Sequence, residues 1–342
     1  MKSHRMISEW MRIVFLILIA GSTAQSQSKY GTTAAQFLGI AVGPRAVAMG
    51  GAYVASNEDA TSLYWNPGAF QQAGKSQFIF SNTDWLAGTK FRWFGFMLNL
   101  GDENAVGLSL TQLDYGEEEV TTVTQPDGNG QKWSAQDLSF AASYSRRLTD
   151  RFSLGGSLKY VQEQIWNESA GTFAFDLGLL FVTGFNDMRL GVTMSNFGGD
   201  LKMEGSDLLN RVDIDPTNSG SNKALVADLK TDPWSLPLLF RVGVAMDVVK
   251  TDMVKVTLAG DALRPSDNTQ SVNVGGEVGW NNTLYFRGGY NSIFSNENEA
   301  GLSLGGGLRY DAQGLGILEV NYAYTDFGLF GSINTFGLAI SF

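Results

Sequence analysis

From about residue 76 to the end of the chain, apolar and polar residues alternate in segments of about ten, separated by turn residues. A period of two predicts strands with one apolar face. The clearest runs are Phe173, Phe175, Leu177, Leu179, Phe181; Leu238, Phe240, Val242, Val244, Met246, Val248; and the terminal Phe336, Leu338, Ile340, Phe342. Similar runs lie at 152–160, 272–280, 302–310 and 318–324, with less regular ones near 76–87, 89–101, 104–114, 134–148, 186–197, 251–264 and 282–292. Together they predict an all-β chain of about fourteen strands, an even number as in single-chain bacterial barrels.

Alternation alone also fits a soluble sandwich, so the connections decide. Every second gap (87–89, 115–133, 164–170, 198–235, 263–270, 291–299 and 325–331) belongs to a set that includes all the long ones, whereas those between are brief turns such as Leu148–Arg151 and Asp311–Gly314. Long loops on one rim and short turns on the other predict a transmembrane antiparallel β-barrel of the outer membrane, with long loops outside and both termini in the periplasm. Glu117–Glu119 and the Asp-rich stretch 198–235 then fall in the outer loops.

The opposite strand face should line the interior. It carries Lys159, Arg189, Arg241, Lys255, Arg287 and Arg309 against Glu163, Asp176, Asp247, Asp261, Glu277 and Glu319. An ion-selective pore would show a ring of one sign, so the balance predicts an ion-paired wall. The same face is rich in glycine, at 155, 178, 191, 243, 275, 279, 289, 305, 307 and 337. Glycine within a strand marks close approach of another backbone or relief of curvature, and the candidate for close approach is segment 25–75, which does not alternate. It is therefore read as an N-terminal plug and 76–342 as the barrel. Trp85, Trp93, Trp133, Trp280, Tyr290 and Tyr324 are expected in interfacial girdles.

At the amino end, Lys2, Arg5 and Arg12 precede an apolar run 13–20 and a small-residue stretch ending at Ala24. That three-part pattern predicts a signal peptide, 1–24, cleaved after about Ala24. No other run could span as a helix. The chain has no cysteine, and its one histidine, His4, lies in the predicted leader. Catalytic triads, thiol nucleophiles and His or Cys zinc sites are thereby excluded from the mature chain, and no enzymatic role, cofactor or metal is expected. Asp213-Ile-Asp215 and Asp127-Gly-Asn129 lack the ligand spacing of a calcium loop. The formal charge of −10 disfavours nucleic acid, and none is expected as a partner.

Within the plug segment, Ser56 or Asn57 is expected to cap a helical turn through Tyr64 that Pro67 ends by constraining Asn66. Arg45, beside Gly43-Pro44, requires a carboxylate or carbonyl partner if buried. Gly43-Pro-Arg45, Ala48-Met49-Gly50-Gly51-Ala52, Asp59-Ala60 and Tyr64-Trp65-Asn66-Pro67 resemble the amino-terminal signature of the PorV/PorQ family, whose barrels are similar to the FadL long-chain fatty-acid transporters. Gly68 departs from the Ala usual in both groups. The terminal Phe336, Leu338, Ile340 and Phe342 resemble the sorting signal read by the barrel-assembly machinery, although a plain last strand has the same pattern. The resemblance implies an accessory component of type IX protein secretion, set in outer-membrane lipid, with a translocon barrel and secreted cargo as partners. The alternative it leaves open is a FadL-like transporter of hydrophobic small molecules, with a pocket lined by Phe37, Leu38, Tyr53 and Tyr64, which equally fit ordinary plug core.

Overall fold

The computed structural model describes residues 31–56, 59–215, 217, 225–294, 300–314 and 316–342. The proposed signal peptide and its cleavage site lie outside them. Strands β1 (Gln77–Asp84), β2 (Lys90–Asn99), β3 (Asn104–Glu119), β4 (Lys132–Thr149), β5 (Phe152–Ile165), β6 (Glu168–Val182) and β7 (Arg189–Gly198) form the first half of a barrel. A two-residue strand β8 (Glu204–Gly205) and a hairpin of β9 (Leu209–Val212) and β10 (Leu225–Asp228) lie in the connection that follows. The second half is β11 (Leu239–Lys250), β12 (Val254–Pro265), β13 (Ser271–Trp280), β14 (Leu284–Ile293), β15 (Leu302–Ala312), β16 (Gly316–Asp326) and β17 (Ser332–Ser341). Each barrel strand pairs antiparallel with the next, β7 pairs with β11, and β1 closes on β17 from Gln77↔Ser341 to Asp84↔Asn334. The fourteen-strand closed barrel expected from the alternation is therefore the fold, and closure leaves no free edge in the wall.

Parity holds along the strands. Outward Leu154, Leu158, Phe173, Phe175 and Leu177 are exposed, while inward Ser153, Ser157, Lys159, Ala174 and Asp176 are buried. Charges on the outer face at mid-membrane depth would cost about 2–4 kcal/mol each for Arg or Lys, and Lys159, Arg189 and Lys255 of the wall instead point inward. They are paired there, as Lys159–Asp176 at 2.9 Å, Arg189–Asp247 at 3.1 Å and Lys255–Asp247 at 3.4 Å. Phe336, Leu338, Ile340 and Phe342 all face outward on the closing strand.

Four expectations are corrected. Strands β3 and β4 run past the expected loop boundaries, across a bulge between Asp114 and Glu117, so Glu117–Glu119 belong to a strand; exposed Lys132 lies 3.4 Å from Glu117 there. The gap at 164–170 shrinks to the turn Trp166-Asn167. Trp93 is buried inside the barrel, where the absent side chain of Gly95 gives its indole room, and Trp85 packs inward against Phe327 at 5.5 Å; neither belongs to a girdle. Finally, the strand count puts both termini on the short-turn, periplasmic rim, an expectation that the first described residues do not follow. Thr33 bonds to Asp267, Ala34 to the Ser235 carbonyl and Ala35 to Glu163, all at the long-loop rim, opposite Phe342. The first described residues thus lie at the far end of the barrel from the C-terminus.

Candidate functional site

The described residues of 31–75 descend through the barrel interior from the long-loop rim to the short-turn rim, where Gln71 bonds to the Asp102 carbonyl. Their two sides meet different walls. Phe37, Leu38, Val42, Leu63 and Phe70 form one apolar core with Phe91, Trp93, Met97, Leu113 and Val161 of β2, β3 and β5. Burying a side chain of this size contributes about 1.5–3 kcal/mol. The other side meets the charged wall of β11 to β15.

Gly43 has φ 82°, and Pro44 follows at the first position of the short helix Pro44–Ala48, where its missing N–H has no helical partner to lose. That helix carries Arg45 to Glu277, with Nε–Oε2 at 2.8 Å and Nη2–Oε1 at 2.5 Å. Glu277 also accepts from Arg287 Nε at 2.5 Å, so a carboxylate bridges two buried guanidiniums. Met49, Gly50 and Gly51 turn the chain against β13 and β14. Gly50 has φ 64°, and a Cβ there would lie 2.6 Å from the Tyr290 amide nitrogen.

Asp261 on β12 accepts from the Tyr53 and Val54 amides at 2.7 and 2.9 Å. Tyr53 donates its hydroxyl to Asp59 at 2.7 Å. The next helical turn, Ser62–Trp65, has no side-chain cap; Asp59 instead fixes the residue before it, accepting from the Thr61 amide at 2.9 Å and from its hydroxyl. Ser56 does not serve, and Asn57 lies outside the described residues. Asn66 ends the turn with the extended backbone that Pro67 demands (φ −159°, ψ 98°).

Asn66 also ties plug to wall: Nδ2 donates to the Val54 and Leu179 carbonyls at 2.8 and 3.0 Å, and Oδ1 accepts from Gly68 N at 3.0 Å. Replacing Asn66 with Leu strands these groups in a buried site and is expected to destabilise by about 2–4 kcal/mol. Urea unfolding in lipid vesicles checks this. Trp65 donates to the Val42 carbonyl at 2.9 Å and lies edge-on to Tyr53 and Tyr64, with the Arg241 guanidinium 5.2 Å from its ring.

Eight of the ten inward wall glycines stand where an added Cβ would strike the plug: Gly155, Gly178, Gly191, Gly243, Gly275, Gly289, Gly305 and Gly337. Gly279 and Gly307 instead face neighbouring wall side chains. Gly68 obeys the same rule from the other side, since its Cβ would lie 2.5 Å from the Gly178 carbonyl carbon. The departure from Ala is thus a matter of space.

The family-motif residues Gly43, Arg45, Met49, Gly50, Gly51, Asp59, Trp65, Asn66 and Pro67 all meet the wall or brace the plug segment that does. The proposed pocket residues are placed differently. A cavity of about 420 Å³ opens toward the long-loop rim, and Phe37, Leu38, Tyr53 and Tyr64 do not line it. Phe37 and Tyr53 are buried core, while Leu38 and Tyr64 border a void of about 20 Å³. The cavity is lined by residues that periodicity could not single out, among them Ile40, Trp85, Asn268, Ser303 and Phe327. Among the described residues no acidic, His or Cys cluster suits a metal.

Three solved structures share the architecture at low identity and so speak to the fold alone. A CymD monoaromatic hydrocarbon channel matches with TM-score 0.58 and 15% identity, over 88% of this chain and 96% of its own. The toluene transporters TbuX of Ralstonia pickettii and TodX of Pseudomonas putida each match with TM-score 0.53 and 14% identity, over 88% of this chain and 97% of theirs. No curated protein sequence matches the chain significantly. The family described as type IX secretion system protein PorV matches over residues 23–222, which include the whole plug motif and the first seven strands. With more than half its length matched, this outer-membrane barrel belongs to the PorV family.

Proposed function

We propose that the protein is a non-enzymatic accessory barrel of type IX secretion that engages a translocon barrel or secreted cargo through its long-loop rim. The observation that carries this reading is the filled interior: apolar packing on one side, buried ion pairs on the other and glycine-permitted backbone contact between. Passage of a polypeptide through such a lumen would require the plug to leave, so the work falls to the loops. The rim facing the cell exterior is the one bearing 199–238, where Leu209, Ile214, Val226 and Leu229 are exposed around the β9–β10 hairpin. Apolar side chains gathered on a loop outside the membrane band favour a protein partner. The C-terminus then faces the periplasm.

Transport of a small molecule is the second reading. It is supported by the cavity beside the plug and by the likeness in fold to channels and transporters of aromatic hydrocarbons.

Crosslinked pull-down of tagged protein from native outer membranes, with mass spectrometry of proteins and lipids, separates the two. Recovery of a large translocon barrel or surface-bound cargo, lost on deleting 206–232, is the expected result. Recovery of apolar solutes alone would overturn the secretion reading.

A further inference from the structure

The cavity beside the plug has a chemistry of its own. Its floor is the plug, with the apolar side chains of Ile40, Ala41 and Val47 beside the backbone of Gly39, Gly50 and Gly51. At its mouth the edge-to-face pair Trp85 and Phe327 offers an aromatic wall. Two hydroxyl pairs line it between these surfaces: Thr83 with Thr335 at 3.0 Å across β1 and β17, and Ser303 with Thr325 at 3.1 Å across β15 and β16. When two hydroxyls bond to each other, one proton and several lone pairs remain for a third partner, so each pair can both donate and accept.

Among the described residues the lining contains no lysine, arginine or histidine. Asp267 is the one ionisable residue of the described lining, and its Oδ2 is held by Thr33 Oγ1 and Gln36 Nε2, each at 2.6 Å. A carboxylate entering here would lose its hydration with no cation to replace it and an anion nearby. A pure hydrocarbon would leave the wall hydroxyls without the water that otherwise satisfies them. The volume lies within the range of roughly 300–1,000 Å³ typical of small-molecule sites.

We infer that this cavity binds an uncharged amphiphile, an apolar or aromatic body carrying one hydroxyl or amide group, and discriminates against both fatty-acid anions and bare hydrocarbons. The hydroxyl pairs read the polar group, and Ile40, Val47, Trp85 and Phe327 hold the body. This assignment is independent of the secretion reading, because it concerns the interior of the rim rather than the loops.

The test uses the whole protein in phospholipid nanodiscs, free of detergent, with probes sharing a phenylpropyl body: hydrocinnamamide, hydrocinnamyl alcohol, hydrocinnamate, phenylpropylammonium and propylbenzene. Affinities are read by calorimetry and saturation-transfer NMR. The amide and the alcohol are expected to bind about ten-fold tighter than the others, a difference of about 1.4 kcal/mol. Gly39→Trp places an indole in the cavity from a position where a Cβ meets nothing within 4 Å, and is expected to abolish binding. Replacing both members of each hydroxyl pair, Thr83→Val, Thr335→Val, Ser303→Ala and Thr325→Val, keeps the shape and should reduce the advantage of the amide over propylbenzene to about two-fold. Heat-modifiable gel migration verifies that each variant folds. Tightest binding by hydrocinnamate or propylbenzene overturns the inference. So does tightest binding by the ammonium, which would make Asp267 the anchor. Failure of the amide and alcohol to bind, or a signal from all probes that survives Gly39→Trp, overturns it as well.

Discussion

Replacing Glu277 with Ala is expected to destabilise the barrel by about 3–5 kcal/mol, the usual consequence of removing one partner from a buried ionic cluster. Glu277 holds Arg45 of the plug with two hydrogen bonds and Arg287 of β14 with a third. Without the carboxylate both guanidiniums stay buried. The nearest other acid to Arg45 is Asp59 at 3.8 Å, which is already engaged by Tyr53 and Thr61. Glu277→Gln, which keeps the shape but loses the charge, should fall between Ala and wild type. Removing all three charges together, Arg45→Met, Glu277→Leu and Arg287→Met, should recover most of the loss, because an apolar cluster of similar volume leaves nothing desolvated and unpaired. Urea midpoints in lipid vesicles decide it: an unchanged midpoint in Glu277→Ala would show that the cluster contributes nothing to stability.

The second large effect is mechanical. Gly289→Val and Gly178→Val are expected to drive the plug off the wall and open a conducting path, because each new side chain meets plug backbone that cannot rotate away. At Gly289 the obstacle is the Met49–Gly50 peptide, and at Gly178 it is the Gly68 amide and the Pro67 ring, both 2.8 Å from the added Cβ. Overpacking of this kind costs about 1–3 kcal/mol where side chains can repack, and more where backbone must move. Proteolysis within residues 31–75 and ion conductance in planar bilayers should both rise. Gly260→Ala, whose Cβ meets only the Asn273 carbonyl oxygen at 3.7 Å, is the control and should leave both unchanged. Full protection of the plug in Gly289→Val and Gly178→Val would mean that the glycines serve curvature instead.

The barrel was legible in the sequence because a wall between lipid and a polar interior imposes a strict period of two, clearest in β6 and β11. It faded in β2, where Phe91, Trp93 and Met97 face the apolar side of the plug while Phe94 and Phe96 face outward, so both faces read as apolar. The same cause explains the misplaced Trp93. The inward glycines could be read as room for another backbone, yet their individual partners could not, since the plug has no periodicity from which to thread it. Arg45 announced its need for a carboxylate, but only tertiary structure could select Glu277 from six inward acids. The cavity was illegible altogether: its lining comes from the plug, from both ends of the barrel sequence and from several connections.

The plug enters the structure at the long-loop rim, where Thr33 meets Asp267, and leaves it at Ser76 beside Phe342 on the other rim. A chain that runs the full height of a closed cylinder has a consequence for assembly. Threading these residues through a finished barrel would drag Arg45 and Asp59 past a lumen already sealed by its own ion pairs. Wrapping the strands around a collapsed plug avoids that barrier. The plug would then serve as the mandrel on which the cylinder is rolled.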